Sequence, residues 1–213
     1  MNRRAIAFAV GAMLIAAACS GAHSKTAPRT TTSAGPTETV LAIGSSATEG
    51  DGVRDRLQNA WPYVVFRESL PSSAAFVNGA LDDATVAHAL ASQAPLAKEL
   101  KPDIVEMWLG ADDLRSGTPL AVFESGYTQL IDTLRADGSR RILVADLPRA
   151  YGSRAPGYNA AIHAVVANTH SELVSLANAA ITLAPTDGLP PQPDTASHRI
   201  IANAFAAQIT RGR

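Results

Sequence analysis

The sequence has almost no cysteine, few aromatic rings and no surplus of charge. A single cysteine, Cys19, stands among 213 residues, which excludes an internal disulfide. Aromatic residues make up 5% of the chain, and its Lys and Arg residues are scattered through a formal net charge of -1. That composition offers neither a basic surface for nucleic acid nor an aromatic stacking platform. The apolar run over residues 5–18 is too short to span a bilayer comfortably. No segment repeats.

The amino terminus carries a different signal. Asn2-Arg3-Arg4 precedes the apolar run, which holds Phe8, Val10, Met13, Leu14 and Ile15 and ends in small residues. This is the profile of a secretory signal. Its last part, Leu14-Ile15-Ala16-Ala17-Ala18-Cys19-Ser20, resembles a bacterial lipobox, in which the cysteine becomes the acylated first residue. The expectation is a signal peptide over 1–18 and a lipid-anchored flexible linker over 19–37, rich in Ser, Thr, Ala and Pro and free of large apolar side chains. One folded domain follows over 38–213, long enough to bury a core. A lipid at Cys19 would tether the domain to the extracytoplasmic face of the cell membrane without a transmembrane helix. A monomer is expected.

Within the domain, short apolar runs alternate with helical spacing. Residues 39–44, 74–78, 103–110 and 141–146 read as strands, and a weaker fifth strand is expected within 174–183. Helices are expected after the loop that opens 52–70, and over 84–100, 119–136, 156–173 and 196–210. Strands alternating with helices give a parallel sheet covered on both faces. The fold class expected is a three-layer α/β/α sandwich with a five-stranded parallel sheet, flavodoxin-like in architecture. In such sheets ligands sit beyond the carboxyl ends of the strands. The polar turns Gly44-Ser45-Ser46-Ala47-Thr48-Glu49-Gly50, Asn78-Gly79-Ala80-Leu81-Asp82-Asp83-Ala84-Thr85 and Gly110-Ala111-Asp112-Asp113 fall there, as does Asp187-Gly188-Leu189-Pro190-Pro191-Gln192-Pro193 before the last helix.

These four turns, in order and spacing, resemble the blocks of the SGNH (GDSL-type) hydrolases. Gly-Asp-Ser-Leu-Thr-x-Gly is similar to residues 44–50, Asn-x-Gly-x-x-Gly-x-Thr to 78–85, Gly-x-Asn-Asp to 110–113, and Asp-Gly-x-His-Pro to 187–191. The resemblance implies a serine ester hydrolase with Ser46 as nucleophile and Asp187 as the acid of the triad. It also implies an oxyanion hole from the N–H groups of Ser46 and Ala80 and the side chain at position 112. No cofactor is implied.

Three departures bear on that chemistry. Ser45 stands for the first-block Asp. Asp112 stands for the oxyanion Asn, and an ionised carboxylate about 3 Å from a developing oxyanion is repelled by roughly 5 kcal/mol at an effective dielectric near 20. Asp112 would help only if protonated, which an apolar site or a like charge such as Asp113 or Asp187 favours. The catalytic His is absent: Pro190 or, counted back from the helix, Gln192 takes its seat. Neither side chain can shuttle a proton, and a triad without its base keeps only about 10³–10⁴-fold catalysis.

Among the other histidines, His88, His163 and His170 fall on helices and are expected to be structural, while His198 is the candidate substitute base. Trp61, Trp108 and Phe123 are expected in the core rather than along a pocket. A cation site from Asp112, Asp113 and Asp187 would suit hard metals, but the spacing matches no metal loop and no metal is expected. Two functions follow. One is an esterase, lipase or deacetylase acting at the cell envelope with weak or lost activity. The other is a non-catalytic protein binding a small-molecule, acyl or glycan ligand in the same pocket.

Overall fold

The computed structural model describes residues 37–186 and 189–212. The signal peptide, Cys19 and the linker expected before residue 37 lie outside the described residues, as does Asp187. Among the described residues no helix is long and apolar enough to cross a membrane.

The chain opens with β1 (Thr39–Gly44), whose apolar run is almost wholly buried. Helices α1 (Ser46–Glu49), α2 (Arg56–Asn59) and α3 (Trp61–Ser69) lead to β2 (Ala75–Asn78). The stretch read as one helix over 84–100 is two, α4 (Val86–Ser92) and α5 (Pro95–Leu100). Pro95, without an N–H, opens a new helix rather than continuing the old one. Then come β3 (Ile104–Trp108), α6 (Ala111–Ser116), α7 (Leu120–Ala136), β4 (Arg141–Ala145), α8 (Ala155–Thr169) and β5 (Glu172–Val174). A hairpin of β6 (Leu183–Thr186) and β7 (Leu189–Pro193) precedes α9 (Thr195–Arg211).

The first five strands form one parallel sheet in the order β2-β1-β3-β4-β5. Alternate residues point to opposite faces. Leu41, Ile43, Val105, Met107, Ile142 and Val144 pack with residues of α4, α7 and α8. Val40, Ile104, Trp108, Leu143, Ala145 and Val174 pack with residues of α3 and α9, where Trp61 stacks on Phe205 at 4.3 Å between ring centroids. The α/β sandwich with a five-stranded parallel sheet is therefore as expected.

The fifth strand differs. It begins and ends earlier, at Glu172–Val174, and helix α8 stops at Thr169 because His170 takes a left-handed conformation (φ 52°) as its cap. The antiparallel pairing of β6 with β7 was not expected, since three prolines in 190–193 argue against a strand. A two-stranded ribbon tolerates them because its outer edge needs no ladder bonds.

Candidate active site

The turn after β1 is held from three sides. Gly44 exchanges both backbone hydrogen bonds with the buried Gln93 side chain, its N–H donating to Oε1 at 2.9 Å and its carbonyl accepting from Nε2 at 2.8 Å. A Cβ at position 44 would meet Thr48 Oγ1 at 2.0 Å, so only glycine lets α1 turn back so closely on β1. Asn78 Nδ2 donates to the Thr48 carbonyl at 2.9 Å, tying the second loop to α1. Ser46, the first residue of α1, is 5% exposed.

Ser46 Oγ accepts a hydrogen bond from the Asp83 backbone N–H at 3.1 Å. This corrects the assignment of Ala80, whose N–H is turned into its own loop and donates to Asn78 Oδ1. Asp83 has φ 53°, a left-handed conformation that favours glycine. It occupies the second glycine of the Asn-x-Gly-x-x-Gly-x-Thr pattern, and carrying the pattern to that glycine would have found it.

Asp112 lies at the start of α6, buried, after Gly110 (φ 113°). One oxygen, Oδ2, accepts from Ser45 Oγ. The other, Oδ1, accepts from Arg115, which also bridges to Asp83 Oδ1 at 2.8 Å. The first-block and third-block departures thus touch each other. Burial raises the Asp112 carboxyl above its ordinary range and nearby Asp83 adds to this, while the Ser45 hydrogen bond and Arg115 pull it back. Asp113 is raised by burial too, against the pull of the Val86 N–H that its Oδ2 accepts at 2.9 Å. Its side chain thus fixes the start of α4. Arg115, three residues beyond Asp112 on the same helix, was not singled out from the sequence.

A cleft of about 300 Å3 opens here, lined by Ser45, Asp112, Arg115, Trp108, Tyr151, Pro190 and Gln192 among others. Both positions offered as the seat of the missing histidine, Pro190 and Gln192, thus reach the cleft, but neither carries an imidazole. Trp108 is 4% exposed and serves the core as well as the cleft wall, whereas Trp61 and Phe123 are core residues.

His198 cannot supply the base. The ring is wholly buried, Nδ1 accepts from the Trp61 N–H at 3.1 Å and Nε2 faces the Asp51 carbonyl at 3.2 Å. An N–H on Nε2 and a lone pair on Nδ1 satisfy both partners, so the ring is a neutral bolt between α9, α3 and the loop after α1. Burial pushes its pKa down to about 4. The substitute-base assignment is therefore corrected.

A different histidine is paired. His163 Nε2 lies 3.0 Å from Oδ2 of Asp146, a buried residue directly after β4 whose Oδ1 accepts from the Leu176 and Ala177 N–H groups. That ring is half exposed and lines a second cleft with Asn159 and Asn178, not the one that holds Ser45. His88 is exposed on α4, and His170 caps α8. Among the described residues no group of three or more His, Cys, Asp or Glu side chains is placed to hold a metal ion. Asp112 and Asp113 are bound instead to Ser45, Arg115 and the Val86 N–H.

The serine at the turn after the first strand of the parallel sheet, met by an N–H from the turn after the second, is the placement that the four-block resemblance implies. Residues 42–202 match the GDSL-like lipase/acylhydrolase family, and the chain belongs to it. Solved structures agree in fold. The psychrotrophic esterase EstA from Pseudoalteromonas sp. superposes with a TM-score of 0.68 at 19% identity, over 82% of this chain and 98% of that one. TesA gives 0.68 at 23% identity over 82% and 99%. A catalytic mutant of Axe2, an acetylxylan esterase from Geobacillus stearothermophilus, gives 0.66 at 20% over 83% and 95%. No curated protein matches the sequence significantly.

Proposed function

We propose that the cleft beside Ser45 and Ser46 binds acyl esters and that hydrolysis through Ser46 is weak or lost. The observation that carries this reading is the lock on His198, whose two ring nitrogens are both committed to backbone partners. Among the described residues no imidazole lines the cleft. In the neighbour Axe2, replacement of one histidine or of one serine is described as a catalytic mutation, which supports the view that such folds need both groups. Asp112 adds a second handicap. Exchanging one oxyanion donor for no donor costs about 10²–10³ in rate, and a carboxylate there opposes the developing charge. The lipobox-like pattern ending in Cys19 supports an address on the extracytoplasmic face of the cell membrane.

The test is hydrolysis of short p-nitrophenyl acyl esters by the wild type and by Ser46→Ala. The expected result is turnover far below the 1–10³ s⁻¹ common for enzymes, with little difference between the two chains. Fast turnover that falls about 100-fold or more in Ser46→Ala would overturn the reading. The bridge from Asp112 to Arg115 and Asp83 favours a second reading, a binding protein for an envelope acyl or glycan ligand. It predicts saturable binding of the esters without any release of product.

A further inference from the structure

We propose that His163 is a second acyl-accepting centre, an imidazole held by Asp146 that takes the acyl group of activated esters in the cleft beyond β4 and β5. The inference goes beyond the reading of the first cleft and does not rest on it. Asp146 follows β4 directly and is 1% exposed. Its Oδ1 accepts from the Leu176 and Ala177 N–H groups at 2.5 and 2.7 Å, and its Oδ2 lies 3.0 Å from His163 Nε2. A carboxylate only accepts, so the proton of the neutral ring stands on Nε2 and Nδ1 carries a lone pair. The ring is half exposed and lines the cleft, and among the described residues Nδ1 has no hydrogen-bond partner. His198, by contrast, has both nitrogens committed. Four residues before His163 on α8, Asn159 closes two hydrogen bonds with Leu147. Its Oδ1 accepts from the N–H at 2.7 Å and its Nδ2 donates to the carbonyl at 2.8 Å. Residues four apart share a helix face, so α8 grips the loop after β4 twice. The amide clamp already holds helix to loop; the imidazole adds a grip that leaves a reactive nitrogen uncommitted.

An imidazole nitrogen with a free lone pair is a nucleophile toward esters that have a good leaving group. The Nδ1 lone pair attacks the carbonyl carbon, the bond from that carbon to an aryl oxygen breaks, and the phenolate leaves with the electron pair. The ring is now positively charged, and the Asp146 carboxylate at Nε2–H stabilises it, as the carboxylate of a catalytic triad stabilises its imidazolium. A water oxygen then attacks the acyl carbon and gives one proton to solvent. The bond to Nδ1 breaks, its electron pair returns to the ring, and the acid is released. Alkyl esters fall outside this class, because an alkoxide is a poor leaving group and Nδ1 brings no proton to it. Asp146 is the positioning residue. In Asp146→Asn the Leu176 and Ala177 N–H groups keep the amide oxygen at the Oδ1 place, so the amide NH2 faces Nε2. Nε2 must then accept, the proton moves to Nδ1, and the nucleophile is lost while the packing is kept.

The test is hydrolysis of p-nitrophenyl acetate by the full chain carrying Ser46→Ala, which removes any contribution of that hydroxyl. In this background Asp146→Asn is expected to lower the rate about 10-fold, the low end for losing a group that orients a histidine. His163→Gln lowers it at least as far, and His88→Gln, on the exposed face of α4, leaves it unchanged. Nitrogen-15 spectra of the ring give a readout that packing alone would not move, with the proton on Nε2 in the parent and on Nδ1 in Asp146→Asn. Where a variant fails to fold, diethyl pyrocarbonate, which acylates imidazoles, decides in the wild type. Mass spectrometry is expected to find the adduct forming faster on His163 than on His88. Hydrolysis no faster than buffer in the Ser46→Ala chain, a rate unchanged by His163→Gln, or equal labelling of the two histidines overturns the proposal. Fast turnover that depends on Ser46 would sink the reading of the first cleft and leave this one standing, since the Ser46→Ala background lacks that contribution.

Discussion

Two clefts of about 300 Å3 each lie beyond the carboxyl ends of the same sheet, and they divide the parts of a serine hydrolase between them. The cleft over β1 and β3 has a serine hydroxyl, a carboxylate and an arginine in its lining but no imidazole. The cleft beyond β4 and β5 has an imidazole oriented by a buried carboxylate, His163 with Asp146, and no hydroxyl-bearing residue in its lining. Both carboxylates are anchored by N–H donors, Asp112 through Arg115 and Asp146 through two backbone amides. The difference teaches that the sheet edge supplies positions for catalytic groups without deciding which residues fill them. The two clefts differ in which catalytic side-chain types line them, not in the architecture that carries them.

The largest effect should come from supplying the first cleft with an imidazole ring. Pro190→His places an imidazole on β7 in the cleft lining, and the Pro190 carbonyl that accepts from Thr186 Oγ1 at 2.7 Å is retained. A positioned general base contributes about 10²–10⁴-fold, so ester hydrolysis should rise by that order and depend on Ser46. Gln192→His tests the alternative register, and whichever variant gains activity identifies the lost seat. Asp112→Asn in the same background should add about 10²–10³-fold by restoring an oxyanion donor. No gain from either histidine would break the comparison, because the missing ring would then not be what limits the site.

Inside the sheet, away from both cleft linings, β3 carries a further carboxylate. Glu106 is wholly buried, and among the described residues neither of its oxygens has a hydrogen-bond partner. Burial alone pushes its pKa up to about 8 from 4.5, so at neutral pH it is mostly the uncharged acid. A folded-state pKa above the unfolded one means that its contribution to stability is complete below about pH 4.5 and is lost as pH rises through 8. At about 1.4 kcal/mol per pH unit the loss is on the order of 4–5 kcal/mol. Urea melts of the wild type should weaken over that window, while Glu106→Gln should be nearly flat through it and the more stable chain at pH 9. Equal pH dependence in both chains would show that Glu106 has a partner in solution.

The sheet was legible in the sequence because β1, β3 and β4 are continuous apolar runs, the pattern of strands buried on both faces. β5 was misplaced because three residues are too few to show a period, and the β6-β7 hairpin was hidden by its prolines. At the site, the motif order led to Ser46, Asp112 and the two positions, Pro190 and Gln192, read as the seat of the family histidine. It could not reveal the role of His198, since that ring is fixed by backbone atoms of Trp61 and Asp51, 137 and 147 residues away in sequence. Nor does residue type announce that Asp83 adopts a left-handed conformation; its place at a glycine position of the motif does.

The smallest effect tests whether the departures at positions 45 and 112 are one change or two. The family pattern sets an acceptor, Asp, at the first position and a donor, Asn, at the second. Here a donor, Ser45, faces an acceptor, Asp112, so the polarity of the contact is reversed while the contact is kept. Ser45→Asp alone would press two buried carboxylates together with only Arg115 to offset them, and one must then take up a proton. Asp112→Asn alone leaves Ser45 an amide oxygen to donate to, at the expense of the Arg115 ion pair. The double substitution returns the family's pairing, so it should cost less than the two single changes summed. A coupling of about 1–3 kcal/mol is expected for groups in direct contact, and additivity within roughly 0.5 kcal/mol in denaturant melts would mean the two positions act independently. A coupled result would also explain how both departures can persist in one fold, since together they keep the buried contact between the two positions.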